Sequence, residues 1–378
     1  MTLNDKQRKI GYGVNTVLIL AVLALSILLS LFGGETMRLK YSSIVWQCCY
    51  FIVLATSLNL VVGFLGQLSL GHCGFMGIGA YTAALISLAF QRAGFYTDHT
   101  GAAFFLVLVV SVLAAGILSG LVGLLVGIPA LRLKGDYLAI ITLGFGMIIV
   151  NVINNLPFAG QDGLAQGSSS SSLYATGLGF SSDEKLRYMW IAVLLTILCL
   201  IAMFMFVRSK YGRAIRAIRD DDIAASASGI NVSFYKIFTF SYSAFFAGIA
   251  GAIYACCMNS LSTGSFSFSS NSILNSIFIV VMVVVGGMGS MTGSIVAAVG
   301  MFALNYQIKN GTWVAALPSF LQSAFAYPML VYSIILIILI LFRPKGIFGS
   351  YEFSPVGTVV AIKNRLKRGK TQKGGDTK

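Results

Sequence analysis

Ten stretches of this chain each run for 17 residues or more without a charged side chain. They fall near 14–32, 41–63, 68–90, 101–128, 137–156, 189–207, 237–258, 272–289, 292–308 and 324–342. About 20 apolar residues cross the hydrocarbon core of a bilayer as a helix. In lipid the backbone must satisfy its own hydrogen bonds, which leaves helices or closed barrels, and runs of this length fit helices. The sequence therefore predicts an all-α fold, a polytopic transmembrane helical bundle of about ten spans. The eighth and ninth spans are the least distinct. The stretch between them, VVGGMGSMTGS, reads as a tight turn or a re-entrant break.

Only 10% of the residues are charged, against about 25% in soluble domains. No polar stretch exceeds the roughly 35 residues at the C-terminus, too few for a soluble domain. Residues 1–350 read as one transmembrane domain and 351–378 as a basic cytoplasmic tail. Lys6, Arg8 and Lys9 followed by the apolar run 14–32 resemble a signal peptide. The run is too long for one and no cleavage site follows, so it reads as an uncleaved first helix.

Ten spans put both termini on one side. With both inside, 20 of the 26 Lys and Arg residues fall on the inner side, as the positive-inside rule requires. That bias accounts for the net charge of +14, and nucleic acid is not needed as a partner. The tail residues Lys363, Arg365, Lys367, Arg368, Lys370 and Lys373 either lie along anionic membrane lipids or are solvated. Every Asp and Glu falls outside the apolar windows. A proton-driven carrier places an ionisable group in the membrane, so this absence weighs against one. Sodium coupling through carbonyls stays open. The six cysteines lack metal-ligand spacing and read as packing residues, so no metal site is expected.

The densest motif is GFLGQLSLGHCGFMGIGAY, 63–81. Its glycines suit close helix packing. They equally suit a broken helix whose free backbone groups line a passage, with Gly66, Gln67, Ser69, Gly71 and His72 along it. A weak echo, with Gly286, Gly287 and Gly289, appears at 284–304, which makes an internal repeat of the transport core plausible. The outer loop 156–188 carries the Ser run 168–172 and is the largest outer feature.

Residues 209–236 form the one long polar insertion on the inner side. Arg213, Arg216 and Arg219 recur every three residues on a helix. Ile215 and Ile218 lie on another face, and Ala224, Ala225, Ala227 and Gly229 give a small-residue end. A surface helix on lipid phosphates is one reading. Asp220, Asp221 and Asp222 favour a soluble protein partner instead, because anionic lipid repels them. Gly369-Lys370-Thr371 imitates the end of a P-loop, but Asn364 stands where its first Gly belongs. If ATP drives this protein, another chain supplies the ATPase.

Taken together, Ser57–His72, Gly79-Ala80-Tyr81, Leu133–Gly146, Gly212–Gly229, Gly286–Gly293 and FRPKGIFG (342–349) resemble the branched-chain amino acid ABC-importer permeases of the LivM type. The likeness covers most of residues 40–350. It implies a multi-pass protein of a bacterial plasma (inner) membrane, itself no enzyme, that works by alternating access on leucine-like amino acids. It also implies four kinds of partner: a second homologous permease, two cytoplasmic ATP-binding subunits holding ATP and magnesium, a periplasmic or lipid-anchored solute-binding protein, and the amino-acid substrate. By analogy, Gly212–Gly229 corresponds to the coupling helix, with Ile223-Ala224-Ala225 for the family's triplet and Gly229 for its glycine. The expected ATPase-coupling residues are Arg213, Arg216, Arg219, Asp222, Ala224, Ala225 and Gly229. Met147 stands where the family often has Glu. Relatives carrying urea, short amides or other amino acids keep the substrate open. The competing classes are a stand-alone carrier or channel, and an intramembrane enzyme using His72 or Cys73.

Overall fold

A computed structural model describes residues 23–28, 42–95, 101–131, 133, 135–156, 180, 182–258, 261, 266, 276–310, 328–343, 346–347 and 349. Among these every regular element is helical. In order they are α1 (Ser42–Asn59, continued by a π turn, Leu60–Phe64), α2 (His72–Arg92), α3 (Ala102–Ala130), α4 (Asp136–Asn155) and α5 (Ser182–Arg187). Then follow α6 (Met189–Arg208), α7 (Lys210–Asp220), α8 (Asp222–Ala227), α9 (Val232–Cys257), α10 (Ser276–Gly286), α11 (Met291–Asn310) and α12 (Pro328–Phe342). Among the described residues seven helices are long and apolar enough to cross a membrane. The apolar α10 and α12 are shorter, and most of the first window lies outside the described residues. So do the Ser run and the basic tail.

Two expected boundaries move. The third span begins at His72 rather than 68, because the chain leaves the helix at Gly66, φ 75°, and restarts with Gly71 at the cap. The seventh begins at Val232 rather than 237. The Asn231 side chain accepts from the Phe234 amide at 3.1 Å and caps the helix. Lys236 is carried inside that first part because Asp222 neutralises it, with Nζ 2.7 Å from Oδ2.

The bundle is built around α9, 83% of whose apolar window is buried against 33% for α4. Lipid gives helices no hydrophobic reason to associate, so contact comes from close packing and interhelical hydrogen bonds. Both are present. A Cβ on Gly79 of α2 would strike the backbone of Gly248 in α9. One on Gly248 would lie 2.5 Å from the Ala115 carbonyl of α3. Gly116, Gly120, Gly123 and Gly127 of α3 receive Phe240, Ser241, Ala244 and Phe245 of α9. Serine hydroxyls tie the backbones: Ser119 donates to the Phe75 carbonyl at 2.9 Å, Ser241 to Gly120 at 2.7 Å, and Ser243 to Ser57 at 2.6 Å.

The outer faces of α3 and α4 carry Leu106, Leu113, Leu121, Leu125, Tyr137 and Ile140 exposed. Such apolar faces suit a lipid environment.

The two ends of the bundle differ. One gathers Trp46, Phe104, Phe180 and Tyr188 into an aromatic cluster. There the Trp46 indole donates to the Lys185 carbonyl at 2.9 Å, and the Phe180 amide to Cys256 at 3.1 Å. The other end gathers the π turn, the α7–α8 insertion with its arginines, and the turn between α10 and α11. Gly346 and Ile347 also lie there, the Ile347 amide donating to the Val285 carbonyl at 3.0 Å. Segments assigned to one side by charge thus share one end, called the basic end below.

Candidate functional site

The site at the basic end begins with a helix that cannot continue. At the end of α1 the register widens: the Leu65 amide donates to the Leu60 carbonyl and the Gln67 amide to Val61, each at 3.1 Å. A π turn of this kind often marks a functional position. A continuing α-helix would send the Gln67 amide to the Gly63 carbonyl, which is therefore released. Gly66 then turns the chain with φ 75°. Residues 65–71 run without regular structure until α2 starts at His72. The break exists, and its glycines also pack: a Cβ on Gly71 would strike the Thr142 carbonyl, and one on Gly74 would lie 2.9 Å from Gly146 of α4.

The polar residues of the break divide. The Leu70 amide is held by the Thr142 hydroxyl at 3.1 Å. His72 Nε2 lies 2.8 Å from Ser57 Oγ, and that hydroxyl donates to the Leu54 carbonyl at 2.9 Å. The imidazole is thereby the donor and carries its proton on Nε2. Gln67 Oε1 and Ser69 Oγ are buried without a hydrogen-bond partner.

The second glycine segment comes to the same place. The turn between α10 and α11 holds Gly287 and Gly289 at φ 115° and 90°. Gly286 packs on Gly293, closing α10 and α11 into a hairpin. The two glycine segments are therefore unlike in geometry, one a break between diverging helices and the other a tight turn. They are joined by Asn59. Its amide nitrogen donates to the Ser290 carbonyl at 2.9 Å, and its oxygen accepts from the Gly289 amide at 3.0 Å.

The α7–α8 insertion closes the site. Ser209 caps α7, accepting from the Tyr211 amide at 3.1 Å. Ile215 and Ile218 are buried, as their spacing predicts, and the arginines are on the other face. Each arginine does something different. Arg213 is exposed. Arg216 donates to the Val207 carbonyl at 2.8 Å and stands 5.9 Å from the Phe64 ring centroid. Arg219 donates to the Gly63 carbonyl freed by the π turn. Its stem lies against Gly66 and its guanidinium against Gly289.

In α8, Asp221 caps the helix, accepting from the Ile223 and Ala224 amides at 2.8 and 3.1 Å. Asp222 pairs with Lys236. Ala225 is buried, while Ala224 and Gly229 are exposed. Gly229 ends the helix at φ 82° with open space around it. Ile223 is 80% exposed, the most exposed of the large apolar side chains in the described residues.

Sequence reasoning thus named Gly66, Gly289 and Arg219 without joining them, and it passed over Asn59. A lone Asn within an apolar window is the signal that marks such a residue. Among the described residues no group of three or more His, Cys, Asp or Glu side chains is placed to hold a metal. The arrangement is a set of hydrogen bonds between backbone breaks and one short amphipathic helix, α7.

No solved structure matches the chain. It is 32% identical to the high-affinity branched-chain amino acid transport system permease protein LivM of Salmonella typhimurium over 317 residues, 79% of this chain and 67% of that one. It is 23% identical to the probable LivM of Methanocaldococcus jannaschii, over 80% of this chain and 91% of that one. The xylose transport system permease protein XylH of Escherichia coli shares 35% identity over a shorter stretch, 34% of this chain and 32% of its own. The model of one family, the branched-chain amino acid transport system / permease component, matches residues 40–342. A match of that extent, over a polytopic helical bundle, means that the chain belongs to the branched-chain amino acid transport permease family.

Proposed function

We propose that this chain is a membrane-spanning permease subunit of an ATP-driven importer that moves branched-chain amino acids across a bacterial plasma membrane. It would pair with a second homologous permease, two ATP-binding subunits that hold ATP and magnesium, and a periplasmic or lipid-anchored binding protein. The basic end is the cytoplasmic one, by the distribution of Lys and Arg. The observation that carries this reading is α8, which presents Ile223, 80% exposed, to solvent at the tip of an insertion that buries Ile215, Ile218 and Ala225. A large apolar side chain left out on such a short rigid element suits a partner's groove.

In this mechanism α8 seats on the ATPase and α7 moves with it. The two permeases alternate between outward and inward openings. Spans without Asp or Glu suit leucine-like side chains, and selectivity comes mainly from the binding protein. The partial likeness to a xylose permease supports a transport core that does not itself encode one substrate.

A gentle-detergent pull-down of the chain from its native membrane, followed by mass spectrometry, tests the reading. The expected result is recovery of a second permease and an ATP-binding subunit. Ile223→Asp is expected to lose the ATP-binding subunit while the chain stays inserted. Recovery of the chain alone, with solute flux in liposomes lacking ATP, overturns the importer in favour of a carrier or channel.

A further inference from the structure

We infer that Arg219 is the positioning residue through which movement of α7 reaches both glycine segments at once, an inference that rests on the importer reading above. Three observations meet on this side chain. The π turn withdraws the Gln67 amide from the Gly63 carbonyl, and a backbone acceptor away from water requires another donor. Arg219 Nη1 supplies it across 156 residues of chain. The same side chain occupies the space that a Cβ would need at two other points, 3.0 Å from its Cγ at Gly66 and 2.9 Å from its Nη1 at Gly289. Both glycines sit at positive φ, so the two turns are shaped around the arginine. Asn59 closes the assembly from the side of α1 by bonding both ways to Gly289 and Ser290.

One side chain of the insertion therefore touches the end of α1, the break before α2 and the turn between α10 and α11. A shift of α7 cannot leave these three where they are. The acceptor is a neutral carbonyl rather than a carboxylate. A charge–dipole contact of this kind parts without leaving an unpaired buried anion, which suits a link that is remade in each cycle. Arg216 meets the π turn through the Phe64 ring, but its carbonyl partner, Val207, belongs to the neighbouring end of α6, so it does not share this role.

The test uses the whole transporter, purified with its co-purifying subunits and reconstituted with binding protein in liposomes. ATP hydrolysis and leucine uptake are measured on the same vesicles for Arg219→Lys, Arg219→Gln and Arg219→Met. The expected result is uptake per ATP reduced about tenfold in Arg219→Met, in proportion to a lost charge-assisted hydrogen bond to the buried Gly63. Subunit composition stays as in the wild type, and hydrolysis on the same vesicles serves only as the denominator of the ratio. Lys, which keeps a charged donor, restores uptake per ATP to within about threefold of the wild-type ratio.

An unchanged ratio in Arg219→Met overturns the inference. So does a lower yield of complex whose surviving fraction couples normally, since that is a packing role only. If Arg219→Met is lost from the membrane, Arg219→Gln decides: a reduced ratio supports the inference and a normal one overturns it. Wild-type uptake that does not depend on ATP overturns the importer reading and this inference with it. ATP-driven wild-type uptake with an unaffected Met variant overturns this inference alone.

Discussion

Asn59 and Gly289 lie 230 residues apart in the chain, and the side-chain oxygen of the first accepts the amide of the second at 3.0 Å. The same carboxamide donates to the Ser290 carbonyl. One buried side chain thus satisfies the Gly289 amide and adds a donor to the Ser290 carbonyl, which also accepts from the Ser294 amide at 3.2 Å. Asn59→Leu removes both bonds while keeping the branching and the number of side-chain heavy atoms. It is expected to destabilise the protein by about 1–3 kcal/mol, chiefly the cost of the unsatisfied Gly289 amide. The melting temperature of the detergent-solubilised chain, followed by size-exclusion chromatography after heating, reads this directly. A value equal to wild type means that the turn holds without Asn59.

Gly79 and Gly144 make a matched pair. Gly79 meets the backbone of Gly248, whereas nothing lies within 4 Å of a Cβ on Gly144. Gly79→Ala forces α2 and α9 apart and costs about 1–3 kcal/mol. Gly144→Ala, in a helix with open space beside it, is neutral or gains up to about 1 kcal/mol. Thermal unfolding of both variants side by side checks the ordering, and equal effects would contradict the packing described for α9.

Lys236 is buried in the first part of α9 and has Asp222 as its partner. Asp222→Asn strands the ammonium and is expected to cost about 1–2 kcal/mol, a modest figure because the aspartate is one-third exposed. Adding Lys236→Met removes the stranded charge and should recover most of the loss. A double-mutant cycle on unfolding midpoints gives the answer. Additive losses would mean that the two side chains do not sense each other.

Phe180 is fully buried at the aromatic end, with ring centroids 5.4, 5.7 and 5.2 Å from those of Trp46, Phe104 and Tyr188. Phe180→Ala is expected to cost about 3–5 kcal/mol. Because the site lies at the opposite end, uptake per ATP in the surviving complex should not change. Transport assays normalised to folded protein would expose any coupling between the two ends.

The helices were legible because lipid permits so little else. Windows read from apolar length coincide with α1, α3, α4, α6 and α11 to within a few residues. The boundaries missed are those where polar chemistry overrides hydropathy. Lys236 is charged yet helical, since a residue 14 positions earlier neutralises it. Leu68 and Leu70 are apolar yet outside a helix, since Gly66 has turned the chain. Of the site, the parts were visible and their meeting was not. Arg213, Arg216 and Arg219 share a repeat in sequence, but one faces solvent, one turns back to Val207 nine residues away, and one reaches Gly63 across 156 residues. Asn59 looked like one polar atom group among many, because its partners are 230 residues distant.

Where Gly79 meets Gly248 and Gly248 meets Ala115, the backbones of α2, α3 and α9 approach with nothing larger than the Ser119 side chain beside them. Packed interfaces shift by exchanging one interdigitation for another, and backbone against backbone has nothing to exchange. These three helices are locked together at that point. On the alternating-access reading proposed above, the rearrangement would fall at other surfaces of the bundle, with this block as its fixed part.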